Sequence, residues 1–372
     1  MRILFTCGRE PTYPRNAVIQ QILRQSHDVI EITDSSRHLA VRYVRLALRL
    51  LMSRRPCDLA IVGFLGHPLM LLAPFFTRQP VLFDMHISIY DTLCLDRQWF
   101  SPRSMVGRLA FGLDTVASRH ASHILIDTNT HAEYLSETLH IPRTKITNLL
   151  VGCDERIFYP RHNSKSPRSH MTVLHYGSQL PLHGLDTILH AAKHLENEPA
   201  LRFRIIGSGI NARSTRQLAR DLDLHNVDFA PFLPAVQLPD EIQSAEICLG
   251  GHFSAVPKAA HVIAGKTFEC LAMGKPIIVG ENPANHELLT HGYDAYFCPM
   301  ADSDALAESI LTMARDAALR DYLGDNARRT FLTRCSLAAL SRPLDHLVMQ
   351  LAGSPKMPIP DPSNKLGRTE GS

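Results

Sequence analysis

Short apolar runs alternate with helix-like stretches along almost the whole chain, and this alternation limits the fold more than any other feature. Runs such as LAIVGF (59–64), TVLHYG (172–177) and PIIVG (276–280) are almost wholly apolar, which is typical of strands buried on both faces of a parallel sheet. Between them, apolar residues recur every three or four positions, as in amphipathic helices. About a dozen such strands are too many for one doubly wound sheet. The pattern predicts two similar α/β domains, each with a parallel sheet covered by helices.

The expected domain boundary lies in the polar segment YPRHNSKSPRSH (159–170), whose proline and serine content is typical of a linker. A new strand begins directly after it. Near the carboxyl end, Pro343 is expected to break or kink the last helix, and the residues beyond that helix lack apolar periodicity. The expected divisions are a first domain (1–160), a linker (161–170), a second domain (171–334), a last helix (335–351) and a disordered tail (352–372).

Composition and charge exclude several classes of function. The formal net charge of +3 gives no reason to expect nucleic acid as a partner. The eight cysteines are scattered without a CxxC pair, which indicates reduced thiols and a cytoplasmic location. No apolar stretch approaches the roughly 20 residues that cross a bilayer.

The twenty histidines do not adopt metal-binding spacing. His286-Glu287 resembles the start of HExxH, but the next histidine is His291, at i+5 instead of i+4, and it would face another side of a helix. His120 and His123 form a bare HxxH pair, which favours structural or surface histidines. We therefore expect no metal site.

The segment RHLAVRYVRLALRLLMSRR (37–55) contains six arginines and no acidic residue. Arg42, Arg45 and Arg49 fall on one helical face, whereas the apolar residues lie mainly elsewhere. One interpretation is an outer helix with a solvated basic face. The other is a surface that rests on anionic lipid, which would place the protein peripherally at the inner face of a membrane. The first 160 residues carry 18 basic and 14 acidic side chains, so the positive excess lies in the first domain.

The stretch GKTFECLAMGKP (265–276) contains the strongest chemical signal in the sequence. It predicts a short helix with Lys266 in its first turn, where the helix dipole disfavours a cation. A bound anion would reverse this, because the amides, the dipole and the ammonium would then attract the same diphosphate. Glu269 follows one turn later on the same face, and its carboxylate can accept hydrogen bonds from the two hydroxyls of a ribose. The alternative is an ordinary surface Lys–Glu pair.

Two glycine-containing loops accompany this stretch. Gly177 and Gly184 lie between a strand and a helix, where they allow the backbone to approach a ligand. RIIGSGINA (204–212) has the letters of a dinucleotide-binding fingerprint, starting at Gly207. That fingerprint would favour an NAD-dependent oxidoreductase, but it does not follow the first strand of either predicted domain.

Taken in chain order, these segments resemble glycosyltransferase family 4 of the GT-B architecture. The resemblance is strongest over 171–330, where YGSQLPLHGLDTILHAA, RIIGSG and KTFECLAMGKPIIVGENPANHELL follow the family order, and it is thinner in the first domain. It implies two Rossmann-like domains facing an interdomain cleft. It also implies a retaining transferase that takes its sugar from a UDP- or GDP-linked donor and passes it to an acceptor such as a glycan or lipid-linked sugar. We expect no cofactor, since the nucleotide sugar is a co-substrate.

The resemblance assigns roles to residues of the second domain. Glu269 matches the second glutamate of the family's two-glutamate motif, which holds the ribose. His261 stands at the place of the first glutamate, and His183 at the place of a lysine that clamps the diphosphate; both are departures from the family pattern. Lys266 is the expected substitute clamp. The predicted donor-binding set is Gly177, His183, Gly184, Gly207, His261, Lys266 and Glu269.

In the first domain, the segment FDMHISIYDT (83–92) resembles the strand end that places a histidine, here His86, in the cleft of these enzymes. His86 and Lys266 are therefore the predicted catalytic residues, with a core histidine as the alternative for His86. Arg9 and Arg15 belong to the loop GREPTYPRN (8–16), at a strand end where such folds bind ligands, and we expect them on the acceptor side. An ordinary proline-rich turn is the alternative for this loop.

The departures at His183 and His261 keep a second functional hypothesis open. In that hypothesis the chain is an inactive relative that binds nucleotide sugar as a scaffold protein. The sugar, the base, the acceptor and the linkage depend on the shape of the pocket, and no motif in the sequence specifies them.

Overall fold

The first half of the chain forms a six-stranded parallel sheet. The computed structural model describes residues 1–53, 55–161 and 170–353. Along the first sheet the strand order is β2-β1-β3-β4-β5-β6. Its strands are β1 (Arg2–Cys7), β2 (Asp28–Glu31), β3 (Leu59–Gly63), β4 (Val81–Asp84), β5 (His123–Ile126) and β6 (Ile146–Asn148). Its helices are α1 (Pro14–Ser26), α2 (Leu39–Met52), α3 (His67–Met70), α4 (Ala73–Phe76), α5 (Met105–His120) and α6 (Asn129–Leu139).

The second half repeats this plan with the strand order β12-β11-β10-β7-β8-β9. Both sheets are parallel throughout their described pairs, which confirms the predicted fold of two Rossmann-like domains. Its strands are β7 (Met171–Tyr176), β8 (Leu201–Ile206), β9 (Val227–Ala230), β10 (Ile247–Gly251), β11 (Ile277–Gly280) and β12 (Tyr296–Cys298). Its helices are α7 (Leu185–His194), α8 (Ala212–Asp221), α9 (Leu238–Ser244), α10 (Gly265–Ala272), α11 (Pro283–His286), α12 (Ser303–Arg315) and α13 (Ala317–Thr330).

The last helix, α14 (Leu337–Ala352), returns to the first domain and packs against α1. Its apolar side chains join the core cluster that contains Ile3, Phe5 and Ile19. The helix continues through Pro343, so the predicted break does not occur there. Most of the predicted linker (162–169) and nearly all of the predicted tail (354–372) lie outside the described residues.

Helix α2 differs from the first interpretation of its sequence, an outer helix with a solvated basic face. Leu46 and Leu50 are buried on the sheet, and Arg42 is also buried, where it pairs with Glu10. The face turned to solvent carries Val44, Leu48, Leu51 and Met52 together with Arg45 and Arg49. The expected solvated basic face is therefore a mixed apolar and basic face. Within the described part of the chain, no helix is long and apolar enough to span a membrane.

A buried ion pair ties α1 to the carboxyl edge of the first sheet. The Arg15 guanidinium contacts the Asp84 carboxylate at the end of β4, with Nη2 3.0 Å from Oδ1, and neither side chain is more than 1% exposed. Arg15 Nη1 also donates to the carbonyls of Leu149 and Leu150, at 2.6 and 3.0 Å. The charge of Arg15, which was predicted on the acceptor side, is thus used inside the first domain.

Replacing Arg15 by methionine should lower the free energy of unfolding by about 3–5 kcal/mol, because the Asp84 carboxylate would remain buried without its partner. Arg24→Met on the same helix is the matched control. Its pair with Glu31 is largely exposed, and the expected change is below about 1 kcal/mol. Urea denaturation followed by circular dichroism measures both. If both substitutions had equally small effects, burial of the Asp84 carboxylate would not depend on Arg15.

Candidate functional site

A cavity of about 380 Å³ lies between the domains, at the carboxyl edges of both sheets. In the second sheet, β7 and β10 are neighbours although the chain leaves them in opposite directions along the sheet, and ligands bind at such switch points in open α/β folds. The lining therefore comes from loops that follow strands in both domains. It includes Tyr13, Phe64, His86, Gly177, His183, His252, Lys266 and Glu269.

Helix α10 begins at this cavity. No side chain caps its first turn, which contains no acidic residue, so its amide end and the Lys266 side chain together form an electropositive wall. Glu269 lies one turn further along and lines the same cavity. Gly274, with φ +64°, follows the end of the helix in the left-handed region, as expected for a glycine stop. The structure thus places Lys266 and Glu269 side by side in a pocket, and not on an open surface.

Burial alters the protonation of both side chains. Loss of solvent lowers the pKa of Lys266 to about 7, although nearby Cys270 and Glu269 oppose this. The same loss raises the pKa of Glu269 to about 7, against a hydrogen bond from Tyr176 and the Lys266 charge. In this cavity, water therefore solvates the Lys266 ammonium and the Glu269 carboxylate less than it would at the protein surface. Hydroxyl donors and a bound anion would stabilise the charged forms of Glu269 and Lys266 respectively.

Three imidazoles lie around Lys266; those of His175 and His252 are buried, and that of His183 is partly buried. The Lys266 ammonium lies 3.4 Å from Nε2 of His175, the next to last residue of β7. The rings of His175 and His183 are 5.9 Å apart, and those of His183 and His252 stack at 5.6 Å. Burial, followed by the Lys266 charge, lowers the pKa of all three, to about 3 for His252. Each imidazole is therefore neutral around pH 7 in the empty cavity.

The glycines hold the loops around this cluster. Gly177 has a φ of +117°, which favours glycine. A β-carbon on this residue would lie 3.8 Å from Cε of Lys266, so the loop runs beside the Lys266 side chain. A β-carbon on Gly184 would lie 2.4 Å from the Phe253 carbonyl carbon, so only glycine fits there. A β-carbon on Gly207 would lie 2.0 Å from the carbonyl oxygen of Gly177. The segment Gly207–Gly209 thus packs against the loop that begins at Gly177. Gly207 does not line the cavity, which corrects the prediction that it contacts the donor.

His86 lines the cavity from the first domain. It follows β4, and its φ of +44° is unusual for a residue with a side chain. Burial lowers the pKa of its imidazole to about 4, although Asp127 nearby opposes this. A residue held in this conformation at a cavity is often part of a functional site. The neutral ring could accept a hydrogen bond from a ligand or donate one to it.

Three other predicted residues, Gly184, His261 and Arg9, are not among the residues that line the cavity. The His261 ring stacks on Tyr134 of the first domain at 4.5 Å, so it belongs to the domain contact, and this corrects its predicted place beside the donor. Arg9 pairs with Glu10 and lies over the Tyr13 ring, at a largely exposed position outside the cavity. Its acceptor-side role stays a prediction.

The sequence analysis missed residues that join the domains. The Lys258 ammonium lies 3.3 Å from the Asp91 carboxylate and 3.0 Å from the Thr92 hydroxyl, both in the first domain. The Glu287 carboxylate accepts hydrogen bonds from the Asn129 and Thr130 amides, each at 2.7 Å, and thereby caps helix α6. No local pattern marks such partners, because they are more than a hundred residues apart. His252 could have been suspected from its place after the strand-ending Gly250-Gly251.

The described residues, 1–53, 55–161 and 170–353, contain no set of three histidine, cysteine or acidic side chains that could bind a metal ion. His120 and His123 of the HxxH pair bond separately to the Met70 carbonyl and to Thr147. The eight cysteines carry no disulfide.

Solved structures with this two-domain plan are of the GT-B fold. Anabaena Alr3699/HepE, solved in complex with UDP, has a TM-score of 0.71 and 15% identity, and the alignment covers 94% of this chain and 100% of that chain. Sucrose-phosphate synthase from Thermosynechococcus elongatus has a TM-score of 0.75 and 16% identity, over 94% and 99% of the two chains. WaaG, a glycosyltransferase involved in lipopolysaccharide biosynthesis, has a TM-score of 0.67 and 12% identity, over 93% and 99%. These similarities establish the fold.

The family model for glycosyl transferases group 1 matches residues 161–330. This match lies in the second domain and confirms the resemblance drawn from the sequence. A relative in Salmonella typhimurium, named "Putative colanic acid biosynthesis glycosyltransferase WcaL", is 24% identical over 202 residues, which is 50% of this chain and 50% of the relative. The match thus spans about half the length of that relative.

Glu269→Gln should make the protein more stable at pH 8, by on the order of 1–3 kcal/mol. The raised pKa means that the folded state binds more protons than the unfolded state between pH 4.5 and about 7. The parent protein therefore loses stability as pH rises through this window, and glutamine does not.

Denaturation at pH 5 and pH 8 measures the difference, which should shrink at pH 5. Glu281→Gln, at an exposed position, is the control and should change stability little at either pH. If Glu269→Gln changed the stability equally at pH 5 and pH 8, the raised pKa of Glu269 would be contradicted.

Proposed function

We propose that this protein is a retaining glycosyltransferase that takes a hexosyl group from a nucleotide-diphosphate sugar and needs no metal ion. The observation that carries the proposal is the pairing of Lys266 and Glu269 in the interdomain cavity, at the amino end of α10. Lys266 and the helix amides would bind the diphosphate, and Glu269 would bind the ribose hydroxyls. The UDP bound in the structural relative from Anabaena supports a UDP-linked donor, and a GDP-linked donor is the alternative.

In the proposed reaction, the bond between the anomeric carbon and the diphosphate oxygen breaks and the acceptor oxygen bonds to that carbon. Negative charge grows on the departing diphosphate, where Lys266 and the α10 amides would stabilise it. Retention places the acceptor on the face from which the diphosphate leaves, so a phosphate oxygen would be within reach of the acceptor proton. His86 would contact the sugar from the opposite domain, and the cleft would exclude water from the reacting carbon.

Titration calorimetry with UDP and GDP tests the binding site. One nucleotide should bind, and Lys266→Ala and Glu269→Ala should each weaken it about tenfold or more, because each removes a buried charge-assisted contact. Lys193→Ala, which removes a partly exposed lysine from α7, is the matched control and should bind like the parent. If the intact protein bound neither nucleotide, the cavity would not be a nucleotide site.

A second candidate function, a scaffold that binds nucleotide sugar without turnover, is supported by the departures at His183 and His261. Both hypotheses predict nucleotide binding, so turnover separates them. Slow release of free sugar from the donor that binds, reduced in His86→Ala, would indicate an enzyme. Binding with no sugar release and no transfer to any glycan or lipid-linked acceptor would indicate a scaffold.

We further propose that the first domain rests on an anionic membrane and that the acceptor is lipid-linked. Helices α2 to α5 pack against one face of the first sheet, and their outer sides carry exposed apolar residues. We call this surface the arginine–apolar face. Its most exposed apolar side chains are Val44, Leu48, Met52, Phe75, Met105 and Leu109.

The charge of this face suits anionic lipid. Between residues 35 and 113, Asp84, Asp91 and Asp96 are buried, and Asp58 is the one exposed acid among the described residues. The exposed basic side chains in the same range are Arg37, Arg45, Arg49, Arg55, Arg78, Arg103 and Arg108. Arg97 of the same domain lines the cavity, and the exposed Trp99 follows it in the chain.

Co-sedimentation with vesicles tests the membrane proposal. The protein should sediment with vesicles that contain phosphatidylglycerol and much less with phosphatidylcholine alone, and added salt should release it. Leu48→Ser/Met52→Ser and Arg45→Gln/Arg49→Gln should each reduce binding severalfold. Val236→Ser, at an exposed apolar position in the second domain, is the control. Equal binding by all variants would show that another surface, or none, contacts lipid.

A further inference from the structure

The cavity has few fixed positive charges for a diphosphate. Among the described lining residues, Arg15 is bound to Asp84 and Lys258 is bound to Asp91. Arg97 lies over the Trp99 ring, on the first-domain side. On the wall formed by α10 and the glycine loops, Lys266 is therefore the cation available to a ligand. A diphosphate carries more than one negative charge, so additional positive charge is needed.

The three imidazoles are placed to supply it. His183 and His252 line the cavity, and His175 lies directly behind Lys266. They come from separate loops and strands that meet at the switch point of the second sheet. The Nδ1 atoms of His183 and His252, like that of His175, are buried without a hydrogen-bond partner in the described structure. A buried, unpaired imidazole nitrogen is costly, and a proton shared with an anion would relieve that cost.

We propose that the imidazole cluster of His175, His183 and His252 takes up a proton when the donor diphosphate binds, so that donor affinity falls as pH rises. This inference rests on the proposed function and adds a specific role for these histidines. His183 and His252 would touch the phosphate oxygens, whereas His175 would act through Lys266. The family's fixed basic clamp would thus be replaced by a clamp that gains charge on binding.

The direction of the effect follows from the surroundings of the cluster. In the empty cavity, burial and the Lys266 charge both disfavour imidazolium, and Lys258 adds a smaller contribution of the same sign at His252. Asp127 of the first domain favours imidazolium at His252, and Glu269 carries the other nearby titrating charge, on α10. A diphosphate adds negative charge beside the rings and raises their pKa. Between the pKa values of the empty and occupied states, binding therefore takes up protons.

Calorimetry in buffers of different ionisation enthalpy counts these protons. We would titrate UDP at pH 7.0, 7.5 and 8.0, above the terminal phosphate pKa near 6, so that the ligand itself contributes little. Net uptake should be positive, and affinity should fall by up to about tenfold per pH unit for each proton taken up. Uridine, which lacks the diphosphate, should show no uptake.

Protons taken up by Lys266 must be distinguished from protons taken up by the histidines, because Lys266 has a pKa of about 7 and would also gain a proton. Lys266→Arg keeps a fixed charge that does not titrate. Uptake that remains in this variant is assigned to the imidazoles. His183→Asn in the Lys266→Arg background should then reduce it, as should His252→Asn. His190→Asn, at an exposed position on α7, is the matched control. His183 is only partly buried, so its variant remains informative if His252→Asn does not fold.

The outcomes distinguish the two levels of the proposal. UDP binding with uptake that survives Lys266→Arg and falls in the histidine variants supports it. UDP binding without proton uptake, or with uptake abolished by Lys266→Arg alone, overturns the histidine role and leaves the proposed transferase intact. No UDP or GDP binding at any pH overturns the proposed function and this inference together.

Discussion

The buried contact between Arg15 and Asp84 is the interaction on which the first half of the cleft depends. It joins α1 to the end of β4, and the same guanidinium holds the carbonyls that follow β6. Two residues beyond Asp84, the chain turns through the left-handed conformation of His86. Such a turn persists only where its surroundings are fixed. The ion pair is therefore best understood as the support that presents His86 to the cavity, and its isolation from water explains why Arg15 is unavailable to a ligand.

The second half of the cleft follows the opposite principle, since its charges are incompletely compensated. Lys266 and Glu269 are buried beside each other, and burial moves the pKa of each towards neutrality. Three neutral imidazoles adjoin them. A core built for stability alone would pair or remove such groups. Their retention in a cavity is characteristic of a site where a ligand completes the electrostatics, and some of the folding free energy is sacrificed for that preorganisation.

The sequence predicted the fold well because its information is local and repeated. Continuous apolar strands such as LAIVG and IIVG can only be buried in covered parallel sheets, and helical periodicity lies between them. Lys266, Glu269, Gly177 and His183, which line the cavity, were also predicted from the sequence, since each lies in a strand–loop–helix segment whose residues suit an anion or a ribose. His261 was misplaced because its ring stacks on Tyr134, and the charge of Arg15 was taken as free because Asp84 is its partner; both partners are more than fifty residues away in the chain. The His175–His183–His252 cluster was missed for the same reason: it exists only where β7 and β10 become neighbours.

The contacts across the cleft bear on how it can open. Lys258 with Asp91 and Thr92, and Glu287 with the first amides of α6, are polar contacts, and the four large core clusters include none of these residues. When such contacts separate, water can satisfy the exposed groups, so opening costs much less than parting an apolar interface of equal area. The α6 amides keep their favourable position for any anion while Glu287 is away. The cores on either side of the cleft stay intact when these contacts separate. Repeated opening and closing requires two rigid domains that are joined by contacts of this polar kind.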